Sequence, residues 1–194
     1  MRLDHIAYRV KDRNKTSRFF ESTLGYRVGT EFQIEFDDDS TADCLALAPP
    51  EIRNSDTNLW TYFSLQADPN GSHLDSVYGA AGTIKSEYHA PPEIFVSDGP
   101  EGSIVGDWVT HRNNIGGVHH IAYQVDNVEA KMKEWQDAGY VEFLSKEPME
   151  CPGLRQVFTK PSELTGVIYE LISREGDGFC ADNVKALMES TKDH

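Results

Sequence analysis

The chain opens on an alternating run. In MRLDHIAYRV the bulky residues Ile6, Tyr8 and Val10 fall on one side of an extended strand, while Leu3, His5 and Ala7 fall on the other. The pattern returns in VHHIAYQV, where Ile121, Tyr123 and Val125 oppose Val118, His120 and Ala122. In each copy the bulky face can pack beneath a helix, which leaves a histidine and a small alanine on the concave side.

An amphipathic stretch follows each strand. RNKTSRFFESTLGY sets Phe19, Phe20 and Leu24 near helical spacing ahead of Gly25, and DNVEAKMKEWQDAGY sets Val128, Met132 and Trp135 on one face ahead of Gly139. Further strands are expected at 26–36 and 41–48 in the first half and at 141–145 and 154–159 in the second. Matching segments close the halves: EIFVSDG (93–99) and ELISREG (170–176) both open on glutamate and reach glycine six positions later. The pattern therefore predicts an α+β fold of two paired βαβββ modules. The first spans 1–99 and carries an insertion at 49–90, a linker spans 100–117, and the second module spans 118–194. Turn formers in the insertion surround one strand candidate, LWTYFSLQ, and the linker holds a short helix at SIVGDWVTHR.

Composition narrows the function classes. A chain of 194 residues with 39% apolar and 26% charged residues is an ordinary globular protein, expected to form one compact unit. Its net charge of −14 would repel a phosphate backbone and anionic lipid, so neither nucleic acid nor a membrane is an expected partner. No run approaches the ~20 apolar residues of a membrane span, and the first residues read as strand rather than signal peptide, so a cytoplasmic location is expected. Cys44, Cys151 and Cys180 lack CxxC spacing and are read as reduced thiols.

The repeated histidines and glutamates carry the chemistry. Strand parity groups His5 with Ala7, His120 with Ala122, Glu93 with Phe95, and Glu170 with Ile168 and Ile172. If the modules pair about a pseudo-twofold axis, His5, His120, Glu93 and Glu170 converge. Two imidazoles and one or two carboxylates suit a borderline divalent ion such as Fe²⁺, Mn²⁺, Co²⁺, Ni²⁺ or Zn²⁺. A lone strand histidine is usually structural, and symmetric recurrence is what sets these two apart. Gln66 is a rival to Glu93. His119 is expected to point to the opposite face from His120, and His73, His89, His111 and His194 fall in loop-like or terminal segments.

DHIAYRV, GGVHHIAYQV and TGVIYELI, set in paired modules, resemble the vicinal oxygen chelate superfamily. That resemblance implies a cupped, incomplete mixed β-barrel around a divalent metal, with His5, Glu93, His120 and Glu170 at the ligand positions and a small molecule chelated through adjacent oxygens. Two branches compete. SIVGDWVTHRNNIGGVHHIAYQVDNVEA is similar to methylmalonyl-CoA epimerases, whereas LRQVFTKP followed by YELISREGDGFCADNVKALMES resembles the end of 4-hydroxyphenylpyruvate dioxygenase. The second likeness implies that Gln156 contacts substrate, that Phe179 lies over the pocket, and that a lid helix runs from about 181 to 191.

Coordination number separates the readings. A triad of His5, His120 and Glu170 leaves three positions for a bidentate 2-oxo acid and O₂, the arrangement of a non-haem Fe(II) oxygenase. Ligation by Glu93 as well leaves two positions, suited to an enolate, with Glu93 or Glu170 moving a proton in an epimerase or glyoxalase-type lyase. A third class only sequesters ligands and generally lacks the metal set. The tail favours the oxygenase, with Fe(II). Exposed strand edges suggest a homodimer.

Overall fold

The computed structural model of the protein describes residues 1–50, 92–139, 141–175 and 179–192. The strand candidate in the insertion, Gln66, His73, His89 and His194 lie outside the described residues. Alternation makes strands of β1 (Arg2–Arg9) and β5 (Gly117–Gln124), and these pair antiparallel to form the seam between the two halves. The first half continues through α1 (Arg13–Leu24), β2 (Arg27–Glu35), β3 (Thr41–Ala48) and β4 (Glu93–Asp98). A linking helix, α2 (Ile104–His111), leads to β5. The second half then runs through α3 (Val128–Asp137), β6 (Met149–Cys151), β7 (Leu154–Phe158) and β8 (Ile168–Arg174), and α4 (Ala181–Ser190) follows.

These strands form one curled, half-barrel sheet in the order β2-β3-β4-β1-β5-β8-β7-β6. Each half places its last strand parallel to its first, β4 against β1 and β8 against β5, which is the two-module βαβββ architecture. One strand lies later than the pattern suggests. Around 141–145 only Phe143 bridges to Thr159, and the chain then turns through Ser145 to Pro148 before Met149–Cys151 pairs with β7.

Both module helices are capped alike. Asp12 accepts a hydrogen bond from the Lys15 amide at 2.8 Å and Asn127 one from the Ala130 amide at 2.7 Å, each at the same distance after its repeat histidine. Each cap contributes about 1 kcal/mol to helix stability. Gly25 ends α1 with φ 77°, a left-handed turn that side chains disfavour. On the convex face α1 buries Phe20 against Val10, Tyr26, Leu47 and Val96, and α3 buries Val128 and Met132 against Val125, Val157 and Leu171. Outward packing of these bulky faces leaves the opposite, concave face for the site.

That concave face is covered by α4. Val184 and Met188 pack with Ala7 and Phe95 of the first half, while Leu187 packs with Phe158 and Ile168 of the second. The linker meets the seam closely. Asn113 and Asn114 take positive φ, and a Cβ on Gly116 would lie 2.8 Å from the Arg9 carbonyl oxygen. Among the described residues no helix is long and apolar enough to cross a membrane.

Candidate metal centre

The seam is irregular at two places, and both irregularities shape the site. Between Leu3 and His5 strand β1 carries one extra residue, Asp4, and opposite Ala7 and Tyr8 strand β5 carries one extra residue, His119. A bulge breaks the two-residue alternation of side chains. It therefore lets a residue and its neighbour turn to the same side. Asp4 accepts a hydrogen bond from His5 Nδ1 at 2.8 Å, and His119 Nδ1 lies 2.9 Å from His120 Nδ1. The expectation that His119 faces away from His120 is thus corrected: the bulge brings both rings into the same cavity wall.

With each Nδ1 engaged, each Nε2 turns inward. His5 Nε2 and His120 Nε2 are 3.3 Å apart, and both lie 3.3 Å from Glu170 Oε2. The three side chains are buried, and among the described residues they form the one group of such donors compact enough to hold a metal ion. Charge-assisted hydrogen bonds close to about 2.7–2.9 Å, shorter than this. Donors each ~2.1 Å from a shared ion are about 3.0 Å apart in octahedral and about 3.4 Å apart in tetrahedral geometry. The donor triangle thus fits a divalent cation better than it fits a hydrogen-bonded trio.

Electrostatics agree with the geometry. Burial alone would drive the His5 imidazole down, but the Glu170 charge and Asp4 outweigh it and lift it to about 9. Burial dominates at His120 and keeps it below its ordinary value. Burial would raise Glu170, yet the charge of His5 and the hydrogen bonds of both imidazoles hold it at about 2. The carboxylate is therefore ionised and ready to ligate.

Glu93 is not brought into this group. It pairs in register with His5, but its carboxylate takes Arg174 Nη2 at 2.8 Å. Arg174 also holds Asp4, through Nη2 at 3.0 Å and Nε at 3.2 Å. Glu93 thus acts on the centre through a chain of contacts that ends at His5 Nδ1. Strand register explains its displacement. His5 faces Glu93 where His120 faces Ile168, and Ala7 faces Phe95 where Ala122 faces Glu170. The positional mate of Glu170 is therefore Phe95, two residues beyond Glu93.

The remaining wall comes from several elements. Gln156 is 2% exposed and lines the cavity on the face of Glu170, beside Phe158. Phe158 leans on His120 with ring centroids 4.7 Å apart, and Phe179 meets His5 edge-on at 5.1 Å. Val184, Leu187 and Met188 of α4 close the top. The cavity measures about 30 Å³ as the side chains stand, room for little more than a water molecule. Three residues here escape a reading of the sequence: Asp4 and His119, which depend on the bulges, and Arg9, which extends the parity of His5 and Ala7 by one step.

Solved structures share this architecture. A methylmalonyl-CoA epimerase aligns over 91% of this chain and 97% of its own with TM-score 0.59 and 21% identity. The methylmalonyl-CoA epimerase of Mycobacterium tuberculosis aligns over 90% and 88% with TM-score 0.55 and 18% identity. A mutant 4-hydroxymandelate synthase from Streptomyces coelicolor aligns over 97% of this chain and 52% of its own, with TM-score 0.65 and 18% identity. At such identities the likeness establishes the fold alone. No curated protein matches the chain by sequence. The family model for the Glyoxalase/Bleomycin resistance protein/Dioxygenase superfamily matches residues 4–158, from the first bulge to the end of β7. Duplicated modules, a curled sheet and a sequence match over most of its length make this chain a member of that superfamily.

Proposed function

We propose that the protein is a non-haem Fe(II) oxygenase that takes a 2-oxo acid chelated at His5, His120 and Glu170. Members of the superfamily are generally metal-dependent enzymes. The observation that carries the finer reading is Phe95, an apolar ring at the position where a fourth ligand would stand. Three protein ligands leave room on a six-coordinate ion for two oxygens of the acid and for O₂. With ferrous iron bound there, the acid would lose CO₂ while O₂ is reduced, one oxygen atom entering the new carboxylate and the other the organic substrate.

The chain's own residues set the conditions. His5 and His120 present neutral Nε2 lone pairs once His5 gives up its proton, and Asp4 fixes the first ring from behind. Gln156 offers an amide to a substrate oxygen. Phe95, Phe158, Phe179 and the apolar face of α4 exclude water. Proton transfer at an enolisable carbon, the alternative chemistry, needs a base beside the metal. Glu93 is a poor one, because Arg174 occupies it.

The test is anaerobic reconstitution with Fe(II), addition of a panel of 2-oxo acids, and measurement of O₂ uptake with CO₂ release. Uptake with any of them is the expected result. No uptake, together with α-proton exchange of an acyl-CoA thioester in D₂O, would move the protein to the epimerase class.

A further inference from the structure

We propose that Arg9 is the receptor for a second anionic group, a carboxylate at the far end of the acid that the metal centre chelates. The inference rests on the 2-oxo acid reading for the near end of that ligand. Arg9 lies on β1 four residues beyond His5 and shares its parity, and it pairs in register with Ser97 of β4. His5, Ala7 and Arg9 on one strand and Phe95 and Ser97 on the other all line the cavity. Four residues of strand separate the His5 and Arg9 Cα atoms by about 13 Å, with Ala7 and Phe95 between them. The two side chains therefore bracket an apolar interval.

Arg9 is 1% exposed and its guanidinium is incompletely partnered. Nη2 donates to Thr191 Oγ1 at 3.0 Å, just past the end of α4, whereas Nη1 is buried and makes no hydrogen bond. The Trp108 ring lies 5.9 Å away. Among the described residues no carboxylate pairs with Arg9, and burial pushes its pKa down to about 9. Arg174 at the rim makes the contrast plain, since it is given two carboxylates, Asp4 and Glu93. A buried cation left without a counter-ion is unfavourable for folding. A bound anion would supply the missing charge, and a planar fork with one free arm suits a carboxylate.

Anchoring α4 through Thr191 is the competing role, and a binding experiment separates the two. Calorimetry on Co(II)-loaded protein would compare pyruvate, which offers only the chelating end, with 2-oxoglutarate and 2-oxoadipate, which add a distal carboxylate. Wild type should bind one of the dicarboxylates about 10- to 100-fold more tightly than pyruvate. In Arg9→Met that preference should vanish while pyruvate affinity and metal stoichiometry stay unchanged, and Arg9→Lys should restore part of it. Loss of the Thr191 contact alone, in Thr191→Val, should leave the preference in place. Pyruvate binding without any dicarboxylate preference, or equal weakening of all three acids in Arg9→Met, would overturn the proposal and leave the oxo-acid reading standing. Failure of every oxo acid, pyruvate included, to bind the metal-loaded protein would sink the oxo-acid reading and this inference with it.

Discussion

Phe95 stands opposite Ala7 as Glu170 stands opposite Ala122. The two positions are mates in the duplicated sheet, and one carries a benzyl ring where the other carries a carboxylate. At these mated positions the pseudo-symmetric site is one-sided, with a carboxylate in the second half and an apolar ring in the first.

Phe95→Glu should restore the missing ligand. Without metal the added buried carboxylate should destabilise the protein by about 2–4 kcal/mol. Metal should recover that loss and bind more tightly than in wild type, while O₂ uptake falls because one open position is filled. Denaturant titrations with and without Co(II) check the first two outcomes.

Removing either glutamate should have unequal effects. Glu170→Ala deletes one of three donors and should weaken metal binding by roughly 100-fold or more. Glu93→Ala should weaken it far less, about tenfold at most, because Glu93 reaches the centre only through Arg174 and Asp4. Competition against a fluorescent chelator measures both.

Asp4→Ala leaves the His5 Nδ1 without its buried acceptor. Metal affinity should drop about 10- to 100-fold, and Asp4→Asn, which keeps an acceptor oxygen, should recover most of it. Equal losses in the two variants would show that charge, rather than ring orientation, is what Asp4 supplies.

Stability of the metal-free protein should vary with pH in two windows. His5 sits at about 9, above its ordinary 6.5, so its contribution is complete below pH 6.5 and disappears as pH rises through 9. Glu170 sits at about 2, below its ordinary 4.5, so its contribution is present above pH 4.5 and disappears as pH falls toward 2. Metal needs an unprotonated His5, so apparent affinity should rise about tenfold per pH unit up to roughly pH 9. Thermal melts across pH 2–9.5 and metal titrations across pH 5–9.5 read these trends.

Much of the fold was legible because it is written in local periods. Alternation marked β1 and β5, and helical spacing ending on Gly25 and Gly139 marked α1 and α3. What escaped is set by pairing between strands. Matching EIFVSDG to ELISREG lines up the glutamates, but the sheet lines up Glu93 with Ile168 and Phe95 with Glu170. A linear match carries no record of that slip. Period-two parity sends His119 away from His120, and it fails there because the strand carries a bulge. Parity alone puts Arg9 beside His5, yet only the packing around it reveals a guanidinium cut off from water.

The antiparallel seam between β1 and β5 has a consequence for assembly of the site. Each half contributes a single imidazole to the donor triangle, and Glu170 belongs with His120, so a cation held by all three would clasp one half of the polypeptide to the other. Coordination would then be a late event, completed only after the halves mate. Two fragments severed at the linker should each capture metal feebly, and together regain it to the extent that they dock.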